Sequence, residues 1–575
     1  MKYAFRVTVL MLLLLSGTMT VQALEQDYYA ETSKLATGKW VKIAVTESGI
    51  YQITADDIRS WGLGTDLSKI HVFGYGGAPL SEEMLGDNYA DDLPQTPLVR
   101  TENRILFYAQ GPTTWISDDQ DYMTQLQVQH PYANSGSYLV TNDSRFNDIE
   151  IEKAHNEPAG SVVTTYIERL YHEQDIINPG ETGRNFLGED FKSRKSQNFK
   201  FDLDGLVAGS QVKVNTVFGA LISNGTGTVT TTYNGTSLPI LSDDIVGQSG
   251  AHVHYKTSNS VKTFTLEGTN SLNFGVSFSA PGKVDLARLD YITVNYEREL
   301  ALRSGGLTFG LNEASTGKTY RLTGCGSATR VWDVTRPFAL LQLNATVTDG
   351  TASFSPASNG RREFVAFDET GTFPHPELIG DVANQNIHAE STPDMIILAP
   401  SAYLDQAKRV ADLHEKYDGF RVLVLDHEKV FNEFSSGTQD AMAYRRLCKM
   451  FFDRGTSADG HTLGYLLLLG NGSYDNRLVG VNANSLNYPH LLTWQTQDSR
   501  YDDTSITTDD HFGILSDGSS TLLKDKMDIA VGRMIVKSVS EARTAVNKLV
   551  NYVSKPLYGS WRNQALFVAD DENDG

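Results

Sequence analysis

The sequence is short of cysteine, of positive charge and of long apolar runs. Only two of its 575 residues are cysteine, Cys325 and Cys448. An exported chain of this size with so few rests on packed cores rather than on a disulfide framework. The two cysteines fall in segments of different character and are expected to stay unpaired. Lysine and arginine total 49 against 70 acidic residues, a formal net charge of -21. Nothing would offset phosphate repulsion, so nucleic acid is excluded as a partner. After residue 23 no apolar run reaches the ~18 residues that a membrane-spanning helix needs. Proline is modest at 17 and glycine abundant at 49. That balance suits many short strands and turns rather than disorder.

What is there begins with an export signal. Lys2 and Arg6 form a charged start, Val7–Leu15 an apolar core too short to cross a bilayer, and Val21-Gln22-Ala23 a small-residue cleavage site. Residues 1–23 therefore read as a secretory signal peptide, and the mature chain is expected to be exported. No cysteine follows the apolar core, so a lipid anchor is not expected.

The remainder divides by grammar. Residues 24–160 read as a β-rich domain. "KWVKIAVTESGIYQIT" has the look of a hairpin, with Val41, Ile43 and Val45 alternating before a turn at Glu47-Ser48-Gly49. Residues 161–390 carry short alternating strands at regular spacing, which predicts a β-sandwich, and then a linker punctuated by Pro374, Pro376 and Pro393. Residues 391–575 alternate strands and helices, which predicts a parallel α/β sheet. Its strands would be "MIILA", "FRVLVLD", "YLLLLGNG", "DIAVGR" and "ALFVAD". Thr438 is the expected cap of a helix running to Phe452, and Ser538-x-x-Glu541 a capping box for the last helix. In such sheets the chemistry sits at the carboxyl ends of the strands.

Several residue groups invite a functional reading. "DDENDG", from Asp570, resembles the start of a calcium loop, but Glu572 stands where Asp or Asn belongs and a strand precedes it. Asp502, Asp503, Asp509 and Asp510 crowd an insertion between the third and fourth strands, where hard oxygen ligands could hold a structural calcium. A solvated loop is the commoner meaning of such a run. His252 and His254 share a strand face but lack a third zinc ligand nearby, which favours cross-strand packing. "GNGSYD" lacks the glycine spacing of a nucleophile elbow. Cys448 sits among apolar neighbours in a helix and Cys325 in the β region, so neither is expected to be a nucleophile.

The α/β segment resembles the gingipain-type cysteine peptidases, whose sheet is caspase-like. "YLLLLGNGSYD", "DDHFGIL", "DIAVGRMIVKSVSEARTAVNKLVNYV" with Gly532-Arg533, and "WRNQALFVADDE" carry the resemblance over residues 392–575. "GKWVKIAVTESGIYQIT", "KIHVFGYGG", "LDYITVNYEREL" and "VWDVTRPF" extend it to the type IX secretion sortases, over essentially the whole mature chain. The resemblance implies a multidomain fold, β-sandwich domains followed by a truncated caspase-like α/β domain. It implies a cell-surface, outer-membrane-associated cysteine endopeptidase that needs no cofactor. Such an enzyme removes the carboxy-terminal signal domain of exported cargo and joins the cargo to lipopolysaccharide, beside an outer-membrane β-barrel partner. The family's catalytic His and Cys follow the "ALFVAD" strand, so the chain has the look of an inactive amino-terminal fragment. Glu572 falls where the family keeps a glutamate beside its His, and is expected to be a supporting acid. A non-catalytic surface adhesin and a calcium-stabilised binding module with a degenerate peptidase domain are the alternative readings.

Overall fold

The computed structural model describes residues 28–567 apart from 84–90, 119–120, 155–159, 235, 238–242, 247–251, 267–268, 312–316, 338, 357–359, 482–485, 520–524 and 556–558. Residues 1–23, expected to be a signal peptide, and Glu572 lie outside the described residues.

The amino-terminal domain is built from Trp40–Val45 (β1), Gly49–Thr54 (β2), His71–Gly76 (β3), Arg104–Ala109 (β4), Thr113–Asp118 (β5), Asp121–Gln129 (β6) and Gly136–Thr141 (β7). The expected β1–β2 hairpin does not form. β1 pairs antiparallel with β7, whereas β2 pairs with β4 in a second sheet. Val41, Ile43 and Val45 then meet Tyr51, Ile53, Ile105 and Phe107 in one core. A flat hairpin would leave one apolar face wet. Turning the strands into facing sheets buries both sets, at roughly 1.5–3 kcal/mol per large side chain.

Two β units follow. Thr165–Glu173 (β8), Ser196–Asp202 (β9), Gln211–Ile222 (β10), Thr226–Tyr233 (β11), Lys256–Thr265 (β12), Ser271–Ser279 (β13) and Val284–Glu299 (β14) form the predicted sandwich. Its sheets run β8-β14-β10-β12 and β9-β13-β11, around Phe199, Phe218, Phe274 and Leu289. Gly306–Leu311 (β15), Lys318–Thr323 (β16), Thr329–Asp333 (β17), Thr351–Phe354 (β18) and Arg362–Asp368 (β19) make a smaller unit with its own core at Phe309, Tyr320 and Phe364. The chain then returns. Glu377–Val382 (β20) pairs antiparallel with β1, Trp40 opposite Val382, so the proline-marked linker closes the amino-terminal sheet.

The α/β domain holds Met395–Ala399 (β21), Leu404–Tyr417 (α1), Val422–Asp426 (β22), His427–Phe434 (α2), Met442–Arg454 (α3), Tyr465–Leu469 (β23), Ala530–Met534 (β24) and Val539–Ser554 (α4). All neighbouring strands are parallel, in the order β22-β21-β23-β24. The apolar strand runs follow from cover on both faces. Ile396, Leu398 and Leu466 pack with Leu447 and Phe451 of α3. Ile397 and Leu469 pack with Val410 of α1 and Val546 of α4.

Three local expectations change. Helix α2 is an addition to the expected elements. The residue at the N-cap of α3 is Ala441, not Thr438, and Asp440 just before it accepts from the Met442 N–H at 2.8 Å. Thr438 instead ties two domains together, accepting from the Ser137 N–H and donating to the Gly76 carbonyl, both at 2.8 Å. The fifth strand is absent from its described part: residues 564–567 are not in a strand, and Leu566 and Phe567 are 88% and 90% exposed.

Candidate active site

The strand order reverses at β21, since the chain steps first to β22 on one side and then to β23 on the other. A cleft outside the carboxyl ends of β21 and β23 is the place such sheets reserve for ligands. Gly470-Asn471-Gly472 leaves β23 at that point. A Cβ on Gly470 would lie 3.2 Å from Leu491, and one on Gly472 only 2.4 Å from the Thr493 methyl. The glycines are there because the segment 488–494 runs close across the strand end. The Leu491 N–H donates to the Asn471 carbonyl at 2.9 Å. The Asn471 side-chain amide donates to the Tyr488 hydroxyl at 2.8 Å.

Arg533 fixes the next strand end. Its guanidinium grips both oxygens of Asp509 at 2.7 Å each and donates to the Leu492 carbonyl at 2.8 Å. The side chain is only 9% exposed. A planar fork suits this two-pronged contact, which lysine could not make. The arginine of the Gly-Arg signature thus locks β24 to the 488–494 segment and to the acidic insertion.

Two histidines stand at these strand ends. His427 opens α2, with Nδ1 3.1 Å from the Tyr444 hydroxyl. Burial holds its pKa below the ordinary imidazole value. The positive end of α2 acts in the same direction. His490 is also held down, by burial first and then by His427 and Arg533. Its Nε2 is buried without a hydrogen-bond partner. Neutral imidazoles beside strand ends can accept or donate a single hydrogen bond without bringing charge. Neither is among the candidates that the sequence singles out, although His427 follows directly on a predicted strand end.

The acidic insertion is shared out among other partners. Asp509 belongs to Arg533. Asp502 lies 2.7 Å from His254 Nε2 and 3.5 Å from His252 Nδ1, so the histidine pair meets a carboxylate of this loop. Asp503 is exposed, and the Asp510 N–H donates to the Thr508 hydroxyl. Among the described residues no three His, Cys, Asp or Glu side chains gather as a metal would require. The four aspartates named for calcium are therefore not one cluster.

Neither thiol is poised for attack. Cys448 is fully buried in α3, and burial pushes its thiol up to about 12. Cys325 is buried in the smaller β unit, where burial also raises its pKa. Both are free. A nucleophilic cysteine needs the opposite environment.

Residues 388–575 match the model of peptidase family C25. Dimeric latent PorU from Porphyromonas gingivalis superposes with a TM-score of 0.84 at 29% identity, over 95% of this chain and 52% of the other. The chain thus spans about half the length of that structure. A β-porphyranase of glycoside hydrolase family 86 from Bacteroides plebeius (12% identity, 46% and 35% of the two chains, TM-score 0.15) and the infectious bursal disease virus VP2 particle (9%, 58% and 80%, TM-score 0.13) carry no argument. No curated protein matches the chain.

Proposed function

Residues 388–575 are a peptidase family C25 domain, and from that premise we propose that the protein is a sortase of the type IX secretion system. It is exported by residues 1–23 and works at the cell surface, associated with the outer membrane. It removes the carboxy-terminal signal domain of cargo and transfers the new carboxyl end to lipopolysaccharide, beside a β-barrel partner. The observation that carries this reading is the PorU-like fold, which extends through the β domains as well as the sheet.

In this reading an imidazole draws the proton from a cysteine thiol, and the thiolate attacks the scissile carbonyl. Preorganised N–H donors hold the oxyanion. An amine or hydroxyl acceptor then releases the acyl-enzyme, which makes the reaction a transfer. Neither Cys325 nor Cys448, both buried, takes the nucleophile's part. Glu572 orients and charge-stabilises the imidazolium, as the third member of a triad does.

The test pairs cargo-processing rates with thermal melts in the protein expressed from its whole gene. Glu572→Ala should slow turnover roughly 10- to 1000-fold, about 1.4–4 kcal/mol, with little change in melting. Asp574→Ala, a carboxylate two residues on, should leave the rate unchanged. Equal rates for both variants and wild type would remove Glu572 from the site.

A further inference from the structure

A cavity of about 660 Å3 opens where the β5–β6 hairpin, the β-sandwich and the insertion after β23 meet. It has the size of a small-molecule site. None of its lining residues belongs to the strand-end site described above. A β-bulge shapes one wall. In β14, Tyr291 stands opposite Val217 of β10 and Leu289 opposite Phe218, so Asp290 is the extra residue. Leu289 and Ile292 both belong to the sandwich core. The two residues between them, Asp290 and Tyr291, both line the cavity. A regular strand would turn only one of them there, and a bulge re-aims side chains in this way. On the neighbouring strand β8, Glu173 stands opposite Tyr291 and lines the same wall.

The cavity carries more acid than its own cations match. Glu173, Asp175, Asp290 and Asp498 face Arg184, Arg477 and Arg500. Each arginine is already committed. Arg477 pairs with Asp175, and Arg500 grips both oxygens of Asp498 at 2.8 and 3.1 Å. Arg184 turns out of the lining to Glu82 at 2.6 Å, and His130 faces Asp440. Glu173 and Asp290 are left without a cation of their own. Among the described residues Glu173 accepts only from the Gln127 amide, at 2.9 Å, and the Asp290 carboxyl has no hydrogen bond or ion pair. Burial and then the Asp175 charge raise the Glu173 pKa to about 7. Burial, then Glu173 and Asp175, hold that of Asp290 well above the ordinary carboxyl range. Two neighbouring carboxylates without a counter-charge are costly to ionise unless a cation completes them. Beside them Ile116, Val128, Phe186 and Val217 supply apolar surface.

We propose that this cavity binds a primary ammonium group on an alkyl stem, the ammonium between Glu173 and Asp290 and the stem along Val217 and Ile116. An ammonium has three N–H donors, enough to reach both carboxylates, and an alkyl stem suits the apolar wall. Its charge favours the ionised carboxylates, so binding should release protons and strengthen as pH rises. Calorimetric titration of the protein expressed from its whole gene with 1,5-diaminopentane should show one saturable site. Affinity at pH 8 should exceed that at pH 5.5 at least 10-fold, since the amine stays charged throughout. Asp290→Asn should weaken binding at least 10-fold while melting no lower than wild type, because it removes a source of like-charge repulsion. Should Asp290→Asn fail to fold, Glu173→Gln is read instead, with the same loss. The neutral isostere 1,5-pentanediol should bind at least 10-fold more weakly. Nα-acetyl-lysine methylamide in the same assay separates the sources: saturation by either amine upholds the proposal, and the tighter one tells a free polyamine from a lysine side chain. Absence of saturation by both amines, equal binding of the diol, a pH-independent affinity or an unaffected folded variant would overturn it. So would calcium competing at lower concentration than either amine, since the site would then select a hard cation and not an ammonium group.

Discussion

Arg533 holds the end of β24 to Asp509 and to the Leu492 carbonyl. Removing one partner of a pair this buried leaves the other charge without compensation, which costs about 3–5 kcal/mol in dry interiors. Here Asp509 keeps 19% of its side chain exposed, so a smaller loss follows. Arg533→Ala should lower unfolding free energy by about 2–3 kcal/mol in urea denaturation. Arg533→Lys should recover little of it, because an ammonium cannot bridge both oxygens. Full recovery in the lysine variant would show that charge alone matters. The Gly-Arg pair is legible in the sequence only through family resemblance: its partner lies 24 residues earlier, in a loop whose fold no local pattern specifies. His427 and His490 escape a sequence reading for a related reason. A lone histidine has no periodicity, and its meaning comes from what surrounds it.

At the scale of elements, the strands and helices of the α/β domain are legible because each must satisfy a local rule. Apolar runs mark β21 and β23, and Ser538 caps α4 by accepting from the Glu541 N–H as the sequence predicts. The Glu541 carboxylate turns instead to the Lys537 N–H. Sequence and structure part where tertiary contact overrides the local signal. Thr438 looks like a cap and acts as a bolt between domains. The glycines after β23 show the same principle from the other side. Gly472→Ala would drive a Cβ to within 2.4 Å of the Thr493 methyl, and overpacking of this kind costs about 1–3 kcal/mol. Thr493→Ser removes the offending methyl, so the double variant should regain most of the loss in a double-mutant cycle of melting free energies. Additive losses would mean that the glycine is needed for some other reason.

At the scale of the molecule, the amino-terminal domain and the α/β domain are joined through polar side chains, several of them buried. Lys42 reaches Glu428 at 3.6 Å and His130 lies 3.3 Å from Asp440. His388 sits between Glu433 at 2.6 Å and Asp91 at 3.2 Å. Burial alone would lower the His388 pKa, but hydrogen bonds and charge from Asp91 and Glu433 outweigh it and raise it to about 9. A folded pKa above the unfolded value gives stability that is complete below about 6.5 and lost as pH rises through about 9. Melting measured from pH 6 to 10 should therefore fall on the alkaline side, by on the order of 2–3 kcal/mol, and His388→Asn should flatten that limb. The β-to-α/β order is legible in the sequence; the return of β20 to β1 is not, because an edge strand pairing across more than 300 residues leaves no local mark. The central claim, a surface peptidase whose thiol is neither Cys325 nor Cys448, is tested most directly at the carboxyl ends of exported cargo. Mass spectrometry of cargo from cells lacking the gene should find the signal domain retained, and the whole gene carrying Cys325→Ala and Cys448→Ala should restore its removal. Cargo cleaved normally without the gene, or left uncleaved by a stably folded double variant, would contradict the account.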